Sequence, residues 1–309
     1  MTEKKAPSDG VITGYGVIDN SLVYVYSQDA SILGGTVGEM HAKKISRLYD
    51  MAVKMGAPVV ALVDCAGLRL EEAADALNAF GEVYAKQAAA SGVVPQITAV
   101  FGTCGGGMGV MASLSDFTFM AEDGKLFVNA PNTLDGNRAE KCDTASAAYQ
   151  AEVSGMADYT GTEDEVLAGI RQLVSVLPMN NDDFAEEQCA DDLNRVCENL
   201  ADCVGDTEIA LENLADAGTF FEIKKAYAKN MVTGFMKLNG ITVGAVANRA
   251  TVYDEEGKDN YYSMTYSDGL CIYMGSIKDG ENTIIVSANG YKDKKIIVNV
   301  DKTAKTVTF

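Results

Sequence analysis

The chain has 309 residues, 47% of them hydrophobic and 22% charged, enough for one large domain or two ordinary ones and outside the disordered class. Asp and Glu number 44 against 25 Lys and Arg; the resulting net charge of −19 repels nucleic acid. With no apolar run of about eighteen residues, no membrane span is expected. The segment Met1 to Gly10 lacks the apolar stretch of a secretory signal. Seven cysteines without a Cys-x-x-Cys pair predict neither a disulfide framework nor a zinc site, so the expected setting is a reduced cytoplasm and no metal. The one histidine, His41, excludes a His-rich metal centre, and any Ser-His or Cys-His nucleophile would have to use it. It lies in an amphipathic stretch, which reads as a histidine on a helix surface.

In chain order, Ser21 to Tyr26 is a β-rich run. From Gly38 to Met55, Met40, Ile45, Leu48, Met51, Ala52 and Met55 recur near a 3.6 period and predict a helix that Gly56-Ala57-Pro58 stops. Val59 to Val63 is a continuous apolar run, expected of a strand buried on both faces. Glu71 to Ala90 reads as a helix, Gln96 to Phe101 as another buried strand, and Gly105 to Ser113 as a short helix after a glycine turn. Phe117 to Met120 and Lys125 to Val128 follow as strands. This alternation predicts an α/β fold. Residues 181–216 hold twelve acidic residues and only Arg195 among basic ones; the spacing of Leu193, Val196, Leu200 and Val204 predicts a helix with a solvated face. From Thr219 the pattern turns β, with Asn239-Gly240 as a hairpin turn between Met231–Leu238 and Ile241–Ala247. Residues 258–309 carry alternating β runs at Asn282–Ala288 and Lys295–Val300 with no helix signal, so a boundary is expected near Lys258.

Two glycine-bearing turns follow the two buried strands: Val63-Asp-Cys-Ala-Gly-Leu-Arg-Leu-Glu-Glu72 and Phe101-Gly-Thr-Cys-Gly-Gly-Gly-Met-Gly109. Side chains are nearly absent at Gly105, Gly106 and Gly107, so a ligand can approach the main chain. Two turns at neighbouring strand ends can aim backbone N–H groups at one spot, as an oxyanion hole requires; losing one such donor costs on the order of 3 kcal/mol of barrier. A purely structural pair of turns is the competing reading. A phosphate cradle is disfavoured, because Gly-x-x-x-x-Gly-Lys-Ser/Thr is absent and no acidic ribose ligand follows. Cys65 and Cys104, without a histidine nearby in sequence, read as buried filler.

The stretch Gln28-Asp-Ala-Ser-Ile-Leu-Gly-Gly-Thr-Val-Gly-Glu-Met-His-Ala-Lys-Lys-Ile45 resembles a segment of biotin-dependent acyl-CoA carboxyltransferase subunits, of the propionyl-CoA carboxylase β and decarboxylase α type. Similar segments follow in order: Gly56-Ala-Pro-Val-Val, Asp64 to Arg69, Ala90 to Ile97, Gly102 to Gly107, Asp116 to Met120, and Met231 to Gly240. The resemblance covers residues 10–257. It implies a crotonase-like (ClpP/crotonase) superhelix of ββα units with a small antiparallel β segment at the C-terminus. It implies acyl-CoA carboxyltransferase chemistry: carboxyl moves between carboxybiotin and an acyl-CoA through a thioester enolate held by backbone amides. Matched residue by residue, the donors fall at Leu68 and at Gly106 or Gly107, and the acyl-CoA is bordered by Gly67, Arg69 and Gly105. Ala66-Gly67-Leu68 departs from the family's Gly-Gly-Ala, which leaves acyl size open.

The implied organisation is 1–222 as the acyl-CoA-binding domain, 223–257 as the start of a truncated second domain, and 258–309 as a β-rich tail. That tail resembles small β modules of clostridial surface proteins, as in a gene fusion or truncation. Biotin is expected in trans on a carrier protein, none bound covalently. The expected partners are acyl-CoA, the biotin carboxyl carrier protein, and other copies of the chain or a separate C-terminal half. CoA phosphates need a local basic patch on so acidic a chain, and Lys43, Lys44, Arg47 and Arg69 are the candidates; Lys43 and Arg47 share a helical face. Two other readings stay open: a noncatalytic acyl-CoA-binding or scaffold protein, and a crotonase-like hydrolase or isomerase using Glu71 or Glu72.

Overall fold

The computed structural model describes residues 8–133, 142–183, 189, 191–192, 194–197 and 207–249, together with strands between 252 and 308. Strands β1 (Val11–Ile18) and β2 (Ser21–Gln28) form an antiparallel hairpin. Helix α1 (Glu39–Met55) leads to β3 (Val59–Cys65), and α2 (Ala73–Ala90) leads to β4 (Gln96–Gly105). The short α3 (Gly107–Ser113) precedes β5 (Phe117–Ala121) and β6 (Lys125–Phe127). Then come α4 (Ala147–Glu152), β7 (Tyr159–Gly161) and α5 (Glu163–Val176). These strands make one sheet in the order β1-β2-β3-β4-β5-β7, with β6 beside the end of β4. All pairs after the first hairpin are parallel. The strand–helix–strand order read from the alternation is therefore present, and the expected parallel pairing of 59–63 with 96–101 runs from Val59↔Gln96 to Val63↔Val100.

Both sheet faces are covered, which is why β3 and β4 are apolar without alternation. On one face lie Ile45, Leu48 and Tyr49 of α1, Phe80 and Val83 of α2, and Met108 and Met111 of α3. On the other lie Val166, Ile170 and Leu173 of α5 and Phe221 of the next sheet. Helix α1 corrects the apolar face expected from sequence. Met40, Met51 and Met55 are exposed, whereas His41, Ala42, Ile45, Ser46, Leu48, Tyr49 and Ala52 are buried. Ile45, Leu48 and Ala52 of the expected stripe are buried, while His41 and Tyr49 take the inward places in which the methionines were expected.

Helix α6 (Thr207–Leu214) precedes an antiparallel sheet of β8 (Phe221–Ile223), β9 (Met231–Leu238) and β10 (Ile241–Asn248), ordered β10-β9-β8. The Asn239-Gly240 hairpin is as expected, with Leu238 opposite Ile241. Phe119, Tyr159 and Phe221 have ring centroids 5.4 to 6.1 Å apart and tie this sheet to β5 and β7; each such pair contributes about 0.5–1.5 kcal/mol. The division expected between 222 and 223 falls inside β8. The helix expected over 193–204 is not seen at 194–197. There Asp192 Oδ1 accepts the Asn194 N–H at 2.9 Å, a local bond that competes with a helical turn. The rest of that stretch lies outside the described residues.

A third, antiparallel sheet comprises β11 (Val252–Tyr253), β12 (Asp259–Thr265), β13 (Cys271–Gly275), β14 (Gly280–Ser287), β15 (Lys294–Asp301) and β16 (Thr306–Thr308), paired in sequence order. The two β runs expected near 282 and 295 are β14 and β15. The boundary expected at 257/258 lies outside the described residues. Among the described residues no helix is long and apolar enough to cross a membrane, and no three His, Cys, Asp or Glu gather as a metal site.

Candidate active site

The two glycine turns leave the C-terminal ends of β3 and β4 side by side. Cys65 and Cys104 are register partners there. Leu68 and Gly107 each lie three positions beyond that pair, so the chain offers the two amides at matching offsets. The turns touch. A Cβ on Gly67 would sit 3.2 Å from the Gly105 carbonyl oxygen, and one on Gly105 would sit 3.4 Å from that of Ala66. Asp64 fastens them further, with Oδ1 accepting the Thr103 N–H at 3.0 Å.

The Leu68 amide is left over by a short parallel bridge. Val37 donates to Gly67 O and accepts from Arg69 N, both at 2.9 Å. In such a bridge the intervening residue turns its own N–H to the opposite edge. Leu68 N–H thus points away from Val37 and has no protein acceptor among the described residues. The Leu68 side chain packs on the main core.

The second turn corrects half of the sequence expectation. Gly106 N–H donates to Phe127 O at 3.0 Å, so it is committed to holding β6 and is not a free donor. Its φ of 60° and ψ of −124° form a conformation suited to glycine. That twist presents the next amide, Gly107 N–H, which has no acceptor among the described residues. Gly107 is positioned by its carbonyl, which accepts the Tyr84 hydroxyl at 2.9 Å, and by Phe80 against its Cα.

Arg69 lies beside the first turn as expected but is not available to a phosphate. It is 5% exposed. Its Nη1 donates to Asp9 Oδ1 at 3.2 Å and Glu72 Oε1 at 2.8 Å. Its Nη2 donates to Asp9 O at 3.1 Å and Thr36 O at 2.7 Å. The cause is Asp9, sixty positions away in sequence. Glu72 is equally engaged: besides Arg69, it accepts the Glu39 N–H at 2.6 Å. Burial pushes its carboxyl up, but the Glu39 N–H and Arg69 together hold it below its ordinary value. Glu72 is therefore no free base for a hydrolase or isomerase. On α1, Lys43 pairs with Glu39, Lys44 is half-buried near Val11 O, and Arg47 is exposed.

His41 departs most from expectation. It is fully buried, and burial pulls its pKa down to about 4. Its Nδ1 lies 2.7 Å from Asp9 O and its Nε2 lies 3.1 Å from Gln28 Nε2. Sequence reasoning missed Asp9, and Gln28 stood only as the first residue of the family-like segment, with no role given to it. The signal that could have found Gln28 was its place at the end of a strand, just before Gly34-Gly35. The two buried thiols are inert: burial raises Cys65 to about 11 and pushes Cys104 higher still.

The carboxyl transferase domain profile matches residues 1–286. The chain is 40% identical over 265 residues to the propionyl-CoA carboxylase carboxyltransferase subunit of Haloferax mediterranei, covering 82% of this chain and 51% of that protein. It is 38% identical over 265 residues to the methylmalonyl-CoA decarboxylase α subunit of Propionigenium modestum, covering 82% and 51%. The chain thus spans about half the length of these curated relatives. Among solved structures it resembles the transcarboxylase 12S hexamer core crystallised with methylmalonyl-coenzyme A, with a TM-score of 0.74 at 30% identity over 80% of this chain and 50% of that one. The fold is accordingly crotonase-like, as the sequence resemblance implied, and the matched region runs past residue 257, where that resemblance ended. The chain belongs to the carboxyl transferase domain family.

Proposed function

We propose that this chain carries the acyl-CoA side of a biotin-dependent acyl-CoA carboxyltransferase, with Leu68 N–H and Gly107 N–H as the donors to the thioester oxygen. The observation that carries this is the pair of unengaged amides, each three positions beyond the register partners Cys65 and Cys104 on adjacent strands. In an acyl-thioester enolate the negative charge rests on the carbonyl oxygen. Two fixed N–H groups stabilise that charge without reorganising, and the partly buried turns around them lower the local dielectric.

Carboxybiotin, carried in trans on a separate protein, supplies the carboxyl group. The residues at the two turns fit the thioester oxygen but not a ureido ring as well, because the Tyr84 hydroxyl is spent on Gly107 O and Gly106 N–H on Phe127 O. The donor's site therefore belongs to other residues or to another copy of the chain. CoA is the expected ligand of the outer face of α1, where Lys43, Lys44 and Arg47 lie; Arg69 stiffens the first turn instead.

The test is calorimetric titration with propionyl-CoA and with its thioether analogue, in which the carbonyl is a methylene. Preference for the thioester supports the reading, and Leu68→Pro, which deletes the N–H without breaking a protein hydrogen bond, should lose it. Equal binding of both compounds, or of neither, refutes the reading.

A further inference from the structure

Behind the two turns lies a buried polar pair that the proposed reaction does not use. His41 Nδ1 faces a carbonyl, Asp9 O, at 2.7 Å. A carbonyl only accepts, so Nδ1 carries the proton. The ring is neutral at ordinary pH, so Nε2 is bare and accepts from Gln28 Nε2 at 3.1 Å. The histidine thereby decides which way the Gln28 amide points: nitrogen toward His41, oxygen away.

The same side chain reaches both turns. Its amide nitrogen lies 3.7 Å from Met108 Sδ, and Met108 follows Gly107 directly. The Gln28 side chain also lies beside the Cys65 thiol and favours its charged form, and that sulfur accepts the Gly67 N–H at 3.3 Å. Gly67 immediately precedes Leu68. One side chain, 7% exposed, thus touches Met108, next to one unengaged amide, and lies beside the Cys65 thiol that holds Gly67, the residue before the other. Its own oxygen, Oε1, is buried without a hydrogen-bond partner among the described residues. An orphaned buried acceptor destabilises the fold, so packing alone would favour an apolar residue here.

We propose that Gln28, oriented by neutral His41, is a positioning residue that sets the separation of the Leu68 and Gly107 amides and thereby the preference for a thioester carbonyl. Lys44, Arg69, Asp9 and Glu72 are the charged groups around His41; Lys44 and Arg69 oppose its protonation, which would turn Nε2 into a second donor against the Gln28 amide.

This inference rests on the proposed thioester site, and the experiment separates the two. Propionyl-CoA and its thioether analogue are titrated into the full chain, into Gln28→Met, which keeps length but not the amide, and into His41→Phe and His41→Gln. The wild-type chain is expected to favour the thioester by about tenfold, the effect of about 1.4 kcal/mol. In Gln28→Met and His41→Phe the ratio should fall toward one while thioether affinity stays within about twofold. His41→Gln, whose side-chain oxygen can replace Nε2 as acceptor, should restore most of it. A wild-type chain without thioester preference removes the site and this inference together. A wild-type preference that survives in Gln28→Met overturns this inference alone. Where Gln28→Met does not fold, His41→Phe against His41→Gln decides: equal ratios overturn the proposal and a split supports it.

Discussion

Burial of His41 as a neutral ring makes stability depend on pH in a defined direction. The native pKa is lowered to about 4, whereas an unfolded histidine titrates near 6.5. Between those values the unfolded chain binds a proton that the folded chain refuses, so stability falls as pH drops through that window and is regained as pH rises. The full difference of about 2.5 units corresponds to about 3 kcal/mol, of which about 2 kcal/mol develops between pH 7 and pH 5. Carboxylates contribute their own slope at acid pH, so the comparison is with His41→Gln, which cannot titrate. Urea midpoints of both proteins are measured from about pH 7 down to about pH 5. The wild-type free energy should fall by about 2 kcal/mol more than that of the variant. Parallel pH profiles would show that the ring is accessible to protons in the folded state and would refute the assignment of Nε2 as a bare acceptor.

Arg69→Met should cost about 3 kcal/mol, because Thr36 O, Asp9 and Glu72 lose a buried cation; a thermal midpoint lowered by about 6–12 °C is the expected readout. Unchanged stability with weakened CoA binding would instead return Arg69 to the ligand. Gly106→Ala forces a Cβ into the φ of 60° and ψ of −124° conformation and should destabilise by about 1–3 kcal/mol, with thioester preference lost before CoA affinity; calorimetry beside denaturation separates the two. The double variant Lys43→Ala with Arg47→Ala should weaken CoA binding and flatten its dependence on salt, measured between about 0.05 and 0.2 M.

What the sequence revealed depended on how local its cause was. Strands β3 and β4 were readable because burial on both faces needs an apolar run, and the turns because only glycine relieves the crowding of Gly67 against Gly105. Helix α5 was overlooked although Thr162 and Glu165 form a capping box before Val166, Ile170 and Leu173. The error in α1 came from treating methionines as the core stripe. His41 could be recognised as internal only with Asp9 and Gln28 on either side of it, contacts made across 32 and 13 positions. Arg69 was misassigned for the same reason, since nothing near it in sequence predicts Asp9. Gly106 was separated from Gly107 only by the pairing of β6, which supplies Phe127 O.

These misreadings share a consequence for the site's electrostatics. A polyanionic ligand meets a chain of net charge −19, but at physiological salt only charges within about 8 Å act strongly. Near the first turn the cations are already paired: Arg69 with both Asp9 and Glu72, and Lys43 with Glu39, leaving one carboxylate charge in excess. His41 adds none, being neutral. Screening thus hides most of the distant acid, and local pairing spends most of the nearby base. Arg47, exposed on α1, and Lys44, half-buried near Val11 O, are left without an ion pair among the described residues. On the proposed reading, recognition at the turns falls to main-chain amides, whose direction is set by Val37 on one side and by Tyr84 and Phe127 on the other. That division explains why the glycines, which contribute no charge and almost no side chain, occupy the centre of the site.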